Sequence, residues 1–177
     1  VFAVVLSLAA FREASPAQGL AEYATRWESN SLLYAAMVRS IEGLELPARA
    51  KSAFLDLKER LDHPAWTRKV FPFFYSAFFA RVALGLLLAL CLLWISKGLR
   101  ETEKAVFASL AALLLLSPTL HPWYLLWVLP FAARLKEPAF LFLSSSAVLS
   151  YALLYPLPGV SRVLVYAIEY TPFVVLL

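Results

Sequence analysis

Residues 78–95 read FFARVALGLLLALCLLWI, eighteen residues broken by a single charge, Arg81. A run of that length with so little charge is the pattern of a helix that crosses a bilayer. Its surroundings point the same way. The chain has 177 residues, of which 62% are hydrophobic and 16% charged, and its mean hydropathy is +0.73. Soluble domains are about 45–50% apolar and roughly 25% charged. A water-soluble globule of this size has no room to hide so much apolar side chain, and disorder is excluded by the same balance. The expected class is therefore all-α, a polytopic transmembrane helical bundle.

The charges are unevenly shared. Residues 12–70 carry nine Lys/Arg and eight Asp/Glu, against seven and four in residues 71–177. A polar segment thus precedes a membrane block. The eleven-residue run Val1–Phe11 spans about 16 Å as a helix, half of a hydrocarbon core. It and Phe173–Leu177 both read as cut transmembrane helices, so the chain is expected to be a fragment truncated at both ends. Val1–Phe11 lacks the basic flank of a signal peptide. Cys91, the single cysteine, offers no disulfide and no metal cluster. The net charge of +4 is spread over alternating signs, which gives nucleic-acid binding little support. No metal site and no cofactor is expected.

Beyond residue 95 the basic clusters orient the chain. Lys97, Arg100 and Lys104 form one short loop, and Arg134 with Lys136 forms the next; the positive-inside rule places both in the cytoplasm. The apolar stretch between them, residues 105–133, must then go out and return as a hairpin. Its arms of about 13 residues are too short to cross fully. The turn falls in Ser117–Tyr124, where Pro118 and Pro122 push the residues before them out of the helical region. Irregular backbone at membrane depth is tolerated only where protein or a water-filled cavity surrounds it. Residues 12–70 are then external, Ala139–Tyr155 runs outward, and Pro156–Tyr170 is external, with Glu169 at the outer interface and a final helix from about Thr171. Within the external segment, Asn30 or Ser31 caps a helix with Leu33, Met37, Ile41 and Leu44 on its apolar face. A second helix over about 48–62 shows Ala50, Phe54, Leu57 and Leu61 on one face. Both read as interfacial amphipathic helices.

The stretch LSPTLHPWYLLWVLP, residues 116–130, holds His121, Trp123 and Tyr124 at the break. One reading is a proline turn with aromatic-belt residues; the other is a polar and aromatic wall facing a sugar or phosphate. Its core, Ser117 to Trp127, resembles the motif of GT-C membrane glycosyltransferases, especially family 87 and the related polyprenyl-phosphate-mannose-dependent mannosyltransferases. Tyr23-Ala-Thr-Arg-Trp-Glu-Ser-Asn30 is similar to the external segment of those proteins, and Arg162 through Glu169-Tyr170-Thr-Pro172-Phe173 resembles their approach to a late helix. The resemblance implies transfer of a sugar, mannose or another hexose, from a polyprenyl-phosphate donor to a glycan or glycolipid acceptor. It further implies an active site on the outer face of a bacterial cytoplasmic membrane. The family's catalytic acid lies in an early external loop expected upstream of Val1, so no acidic residue here inherits that role and no catalytic residue is assigned.

Such chemistry needs a carboxylate to deprotonate the acceptor hydroxyl and cations to steady the departing phosphate. Arg26, Arg81 and His121 are the candidates for phosphate, with Trp27, Trp123 and Tyr124 as aromatic faces for sugar or prenyl chain. Asn30 completes the candidate donor and substrate set. For Arg26, Trp27 and Asn30 an interfacial anchor with a helix cap remains open, and for Arg81 a snorkelling anchor. His63 reads as a loop residue. A transporter or flippase with a broken-helix binding site is the alternative class; it predicts inverted repeats, and none is visible in the sequence. A purely structural membrane subunit is the third.

Overall fold

The computed structural model describes residues 28–61, 70, 73–153 and 159–177. These form α1 (Leu32–Gly43), α2 (Leu46–Arg60), α3 (Ser76–Gly98), α4 (Thr102–Leu116), a 3-10 helix (Pro122–Trp127), α5 (Leu129–Leu135), α6 (Pro138–Ser146), a second 3-10 turn (Ala147–Leu153) and α7 (Arg162–Leu176). Among the described residues there is no strand, only the isolated parallel bridge Ser29–Thr119. The all-helical expectation holds. Helix α3 is the one described helix long and apolar enough to cross a membrane; its 23 residues reach about 34 Å. Leu86, Leu90, Leu93 and Trp94 point outward from it, while Ala80 and Leu84 pack against Tyr34 and Ile41 of α1. Val1–Phe11, His63 and Pro156–Pro158 lie outside the described residues.

Helix α4 ends at Leu116, and the chain turns back. Ser117 (ψ 143°) and His121 (ψ 146°) are both extended, as the prolines after them require. Each of the next helical segments begins on a proline or with one in its first turn: Pro122, Pro130 and Pro138. That is where a missing N–H costs no helical hydrogen bond. Lys136 closes α5 in the left-handed region, φ 58°. The return leg brings Arg134 to 2.6 Å from Glu103 near the start of α4. The core lies between the legs: Leu120, Leu125 and Val128 of the break pack on Phe140 and Leu143 of α6 and Tyr170 and Phe173 of α7. Phe140 takes Phe107 and Phe173 edge-on, each at 5.2 Å.

Four details differ from the sequence reading. The buried face of α1 is Tyr34 and Ile41, with Met37 and Val38 packed beside them; Leu33 and Leu44 are exposed. The helix is rotated because Tyr34, not Leu33, faces Arg81 of α3. Ser31 occupies the cap position of α1 but makes no capping bond; Asn30 is not the cap. The run from Ala139 is divided. Ser144 and Ser145 return their hydroxyls to the Phe140 and Leu141 carbonyls at 2.7 and 3.1 Å, a competition that loosens α-helices, and the segment tightens to 3-10 at Ala147. Finally, α7 begins at Arg162, not near Thr171. Ser161 caps it by accepting the Leu164 N–H at 3.2 Å, and Glu169 lies inside the helix, fully buried.

Candidate functional site

Two prolines four residues apart create the site. In a continuing helix the Pro118 carbonyl would accept from residue 122, but Pro122 has no N–H to give. The strap Glu28–Ser31 supplies the donors instead. Ser29 N–H donates to the Pro118 carbonyl at 3.3 Å, and Leu120 N–H donates back to Ser29 O at 2.7 Å. The Ser31 hydroxyl donates to Ser117 O at 2.7 Å, which is why it is not free to cap α1. Tyr170 of α7 closes the strap from the other side, its hydroxyl donating to Asn30 O at 2.6 Å. Asn30 turns the chain at φ 47°, a left-handed conformation that asparagine tolerates better than most residues.

Glu28 anchors the strap to α3. Its carboxylate accepts from Arg81 Nη2 at 2.7 Å and from the Tyr34 hydroxyl at 2.5 Å. The guanidinium lies over the Tyr34 ring, 5.5 Å from its centroid. Burial, and then the hydrogen bond to Glu28, hold the Tyr34 phenol well above its ordinary value, so it stays a neutral donor.

The strap, α1 and the start of α7 enclose a cavity of about 350 Å³, with Asn30, Arg39, Pro118, Ser150, Arg162 and Tyr166 in its walls. Glu28 and Glu42 also face it. Beneath Asn30 is Glu169, fully buried. The Asn30 amide and the Ser150 backbone lie against its carboxylate, yet neither Glu169 oxygen has a hydrogen bond of good geometry. The sequence puts Glu169 at the outer interface because a carboxylate in lipid is costly; the fold buries it against polar protein groups instead. It makes no ion pair with Arg162.

The sequence-selected residues divide into two groups. Asn30 lines the cavity, and Arg81 stands behind it through Glu28. His121, Trp123 and Tyr124 form an aromatic cluster outside the cavity wall. His121 stacks on Trp123 at 4.2 Å, meets Tyr124 edge-on at 5.5 Å, and Trp123 in turn stacks on Tyr151 at 6.3 Å. Arg26 and Trp27 lie outside the described residues. Among the described residues no group of three or more His, Cys, Asp or Glu is placed to hold a metal. The sequence reading missed Glu28, Ser29, Arg39 and Tyr166. The first two stand inside the quoted 23–30 motif, whereas Arg39 is one alternating charge among many.

The model of the MptB C-terminal domain family matches residues 74–176. The chain belongs to that family. Neither a curated protein nor a solved structure matches it. Membership places the chain among mannosyltransferase-type glycosyltransferases. The MptB-matched stretch runs from just before α3 to the last residue of α7, so Arg81, the proline break, Arg162 and Glu169 belong to it. The strap and α1 precede it. The cavity is therefore composite, with an MptB-type bundle as one wall and the preceding segment as the other.

Proposed function

We infer that the full-length protein is a GT-C type, multi-pass membrane glycosyltransferase. In this reading it moves mannose, or another hexose, from a polyprenyl-phosphate donor to a glycan or glycolipid acceptor on the outer face of a bacterial cytoplasmic membrane. The observation that carries the reading is the strap Glu28–Ser31 bonded into the proline break, which builds a polar cavity at one end of an apolar bundle.

The two ends of α4 separate two environments. Lys97, Arg100 and Lys104 flank its start, and the Glu103–Arg134 pair holds the next basic cluster there too. The cavity lies beyond its other end, past Leu116. The positive-inside rule then puts the basic end in the cytoplasm and the cavity outside. Beside the cavity, the exposed faces of Trp123 and Trp127 suit a prenyl chain or a sugar ring. Two of the carboxylates at the cavity are committed elsewhere: Glu28 is held by Arg81 and Tyr34, and Glu169 is sealed. In this reading the base comes from another part of the full-length protein. MptB-family membership favours transfer over the transporter alternative.

The test is transfer of radiolabel by purified full-length protein supplied with polyprenyl-phosphate mannose and, separately, with a nucleotide-linked mannose. Label should reach the acceptor from the lipid donor alone. His121→Ala should lower turnover about tenfold, or about 1.4 kcal/mol of transition-state stabilisation. Transfer from the nucleotide sugar but not from the lipid would overturn the donor assignment.

A further inference from the structure

Two arginines from distant parts of the chain line the cavity, and neither makes an ion pair among the described residues. Arg39 comes from the exposed side of α1 and Arg162 is the first residue of α7; both line the cavity. Both, together with the buried Glu169, are within electrostatic reach of the Tyr166 hydroxyl, which opens onto the same space. Neither has an ion pair or a hydrogen-bond partner among the described residues. Surface arginines are readily neutralised by a carboxylate one helical turn away. Glu42 stands three residues after Arg39 and is exposed, yet it makes no bond to it. The other acid of the cavity, Glu28, already holds Arg81.

The floor adds a further donor, the Asn30 amide, which lies against the Glu169 carboxylate without a well-formed bond to it. Asn30 is 7% exposed, and neither its amide nitrogen nor its amide oxygen has a well-formed hydrogen bond. A buried amide in that state costs free energy unless something fills it. The donors therefore come from three directions: Arg39 on one wall, Arg162 and Tyr166 on the other, Asn30 below. A planar carboxylate offers its oxygens in one plane and suits a single fork. A tetrahedral phosphate presents oxygens in three directions, and guanidinium groups bind them with two parallel bonds each. Arg162 also opens a 15-residue helix, whose N-terminal dipole favours an anion.

We propose that this cavity binds a phosphate ester, with Arg39 and Arg162 gripping its oxygens from opposite walls and Tyr166 and Asn30 donating from the side and below. The assignment of that phosphate to the sugar donor rests on the transferase reading above. It moves the phosphate contact from Arg81, which is ion-paired with Glu28 through Nη2, to two cavity residues that make no ion pair among the described residues.

The test measures binding to full-length, detergent-purified protein of three probes: a short-chain polyprenyl phosphate, inorganic phosphate, and phosphatidylglycerol in nanodiscs. Arg39→Gln and Arg162→Gln should each weaken polyprenyl-phosphate binding tenfold or more, with melting temperature unchanged, and inorganic phosphate should compete. Arg134→Gln, an exposed arginine at the opposite end, should leave binding unchanged. Unchanged affinity in both cavity variants would overturn the proposal. Equal binding of phosphatidylglycerol, lost in the same variants, would overturn the donor assignment in favour of a general headgroup site. If wild-type protein transfers no sugar from a lipid donor yet binds polyprenyl phosphate through both arginines, the transferase reading fails and the phosphate site stands. If transfer proceeds unaltered in both variants, the site fails and the transferase reading stands.

Discussion

Replacing Tyr170 by Phe removes one oxygen atom and nothing else, and it tests whether the strap is held as described. The Tyr170 hydroxyl donates to Asn30 O at 2.6 Å, in a residue only 7% exposed. Phe fills the same space, and the Asn30 carbonyl it abandons is buried. Leaving a buried acceptor unsatisfied costs about 1–3 kcal/mol. Since about 1.4 kcal/mol is a factor of ten, the strap should open about 5- to 150-fold more often. Hydrogen exchange over 117–124 reads this directly, because the Leu120 N–H is bonded to Ser29 O at 2.7 Å and exchanges only when the strap lifts. Tyr34→Phe is the matched control. It also deletes one tyrosine hydroxyl, but Glu28 keeps Arg81 at 2.7 Å and is 45% exposed, so water replaces the lost donor. Its cost should stay below about 1 kcal/mol, a change of less than about fivefold. Equal acceleration in the two variants, or none in Tyr170→Phe, would refute the strap as the element that closes the site.

Two further outcomes follow from the same geometry. Glu169 is fully buried without a cation, so Glu169→Gln keeps the shape and removes the cost of burying a charge. The melting temperature in detergent should be equal to or above wild type, and a fall of several degrees would show that the carboxylate itself is required. In a Cys91→Ser background on intact cells, Ala50→Cys should react with an impermeant thiol reagent and Lys136→Cys should not; the reverse pattern would invert the orientation proposed here.

What was legible in the sequence was local. The extended conformations of Ser117 and His121 follow from the prolines after them, and the length and purity of the run around Leu84–Ile95 suffice for α3. What was not legible depends on contacts between distant segments. The periodicity of residues 33–44 admits two neighbouring faces, and only the pairing of Arg81 on α3 with Glu28 of the strap selects the one that carries Tyr34. The start of α7 was displaced for the same reason. A lone glutamate in an apolar run argues for the interface when its surroundings are taken to be lipid. Here Asn30 and the Ser150 backbone lie against it, and no local pattern announces that a residue so early in the chain will arrive there.

The site shows how the local and the distant combine. Pro118 and Pro122 make the break legible, and the same two residues leave carbonyls with no helical donor. Some other segment had to supply those donors, because unpaired acceptors at that depth are costly. That requirement does not name the segment. The strap Glu28–Ser31 qualifies because it offers a backbone N–H at Ser29, a hydroxyl at Ser31, an asparagine able to turn left-handed, and a glutamate that Arg81 can hold. Once it docks, α1 must follow directly after it, and this carries Arg39 to the wall opposite Arg162. Arg39 bears no signal of its own in the sequence. Its place at the cavity is a consequence of where the strap must bind, about two turns of helix before it.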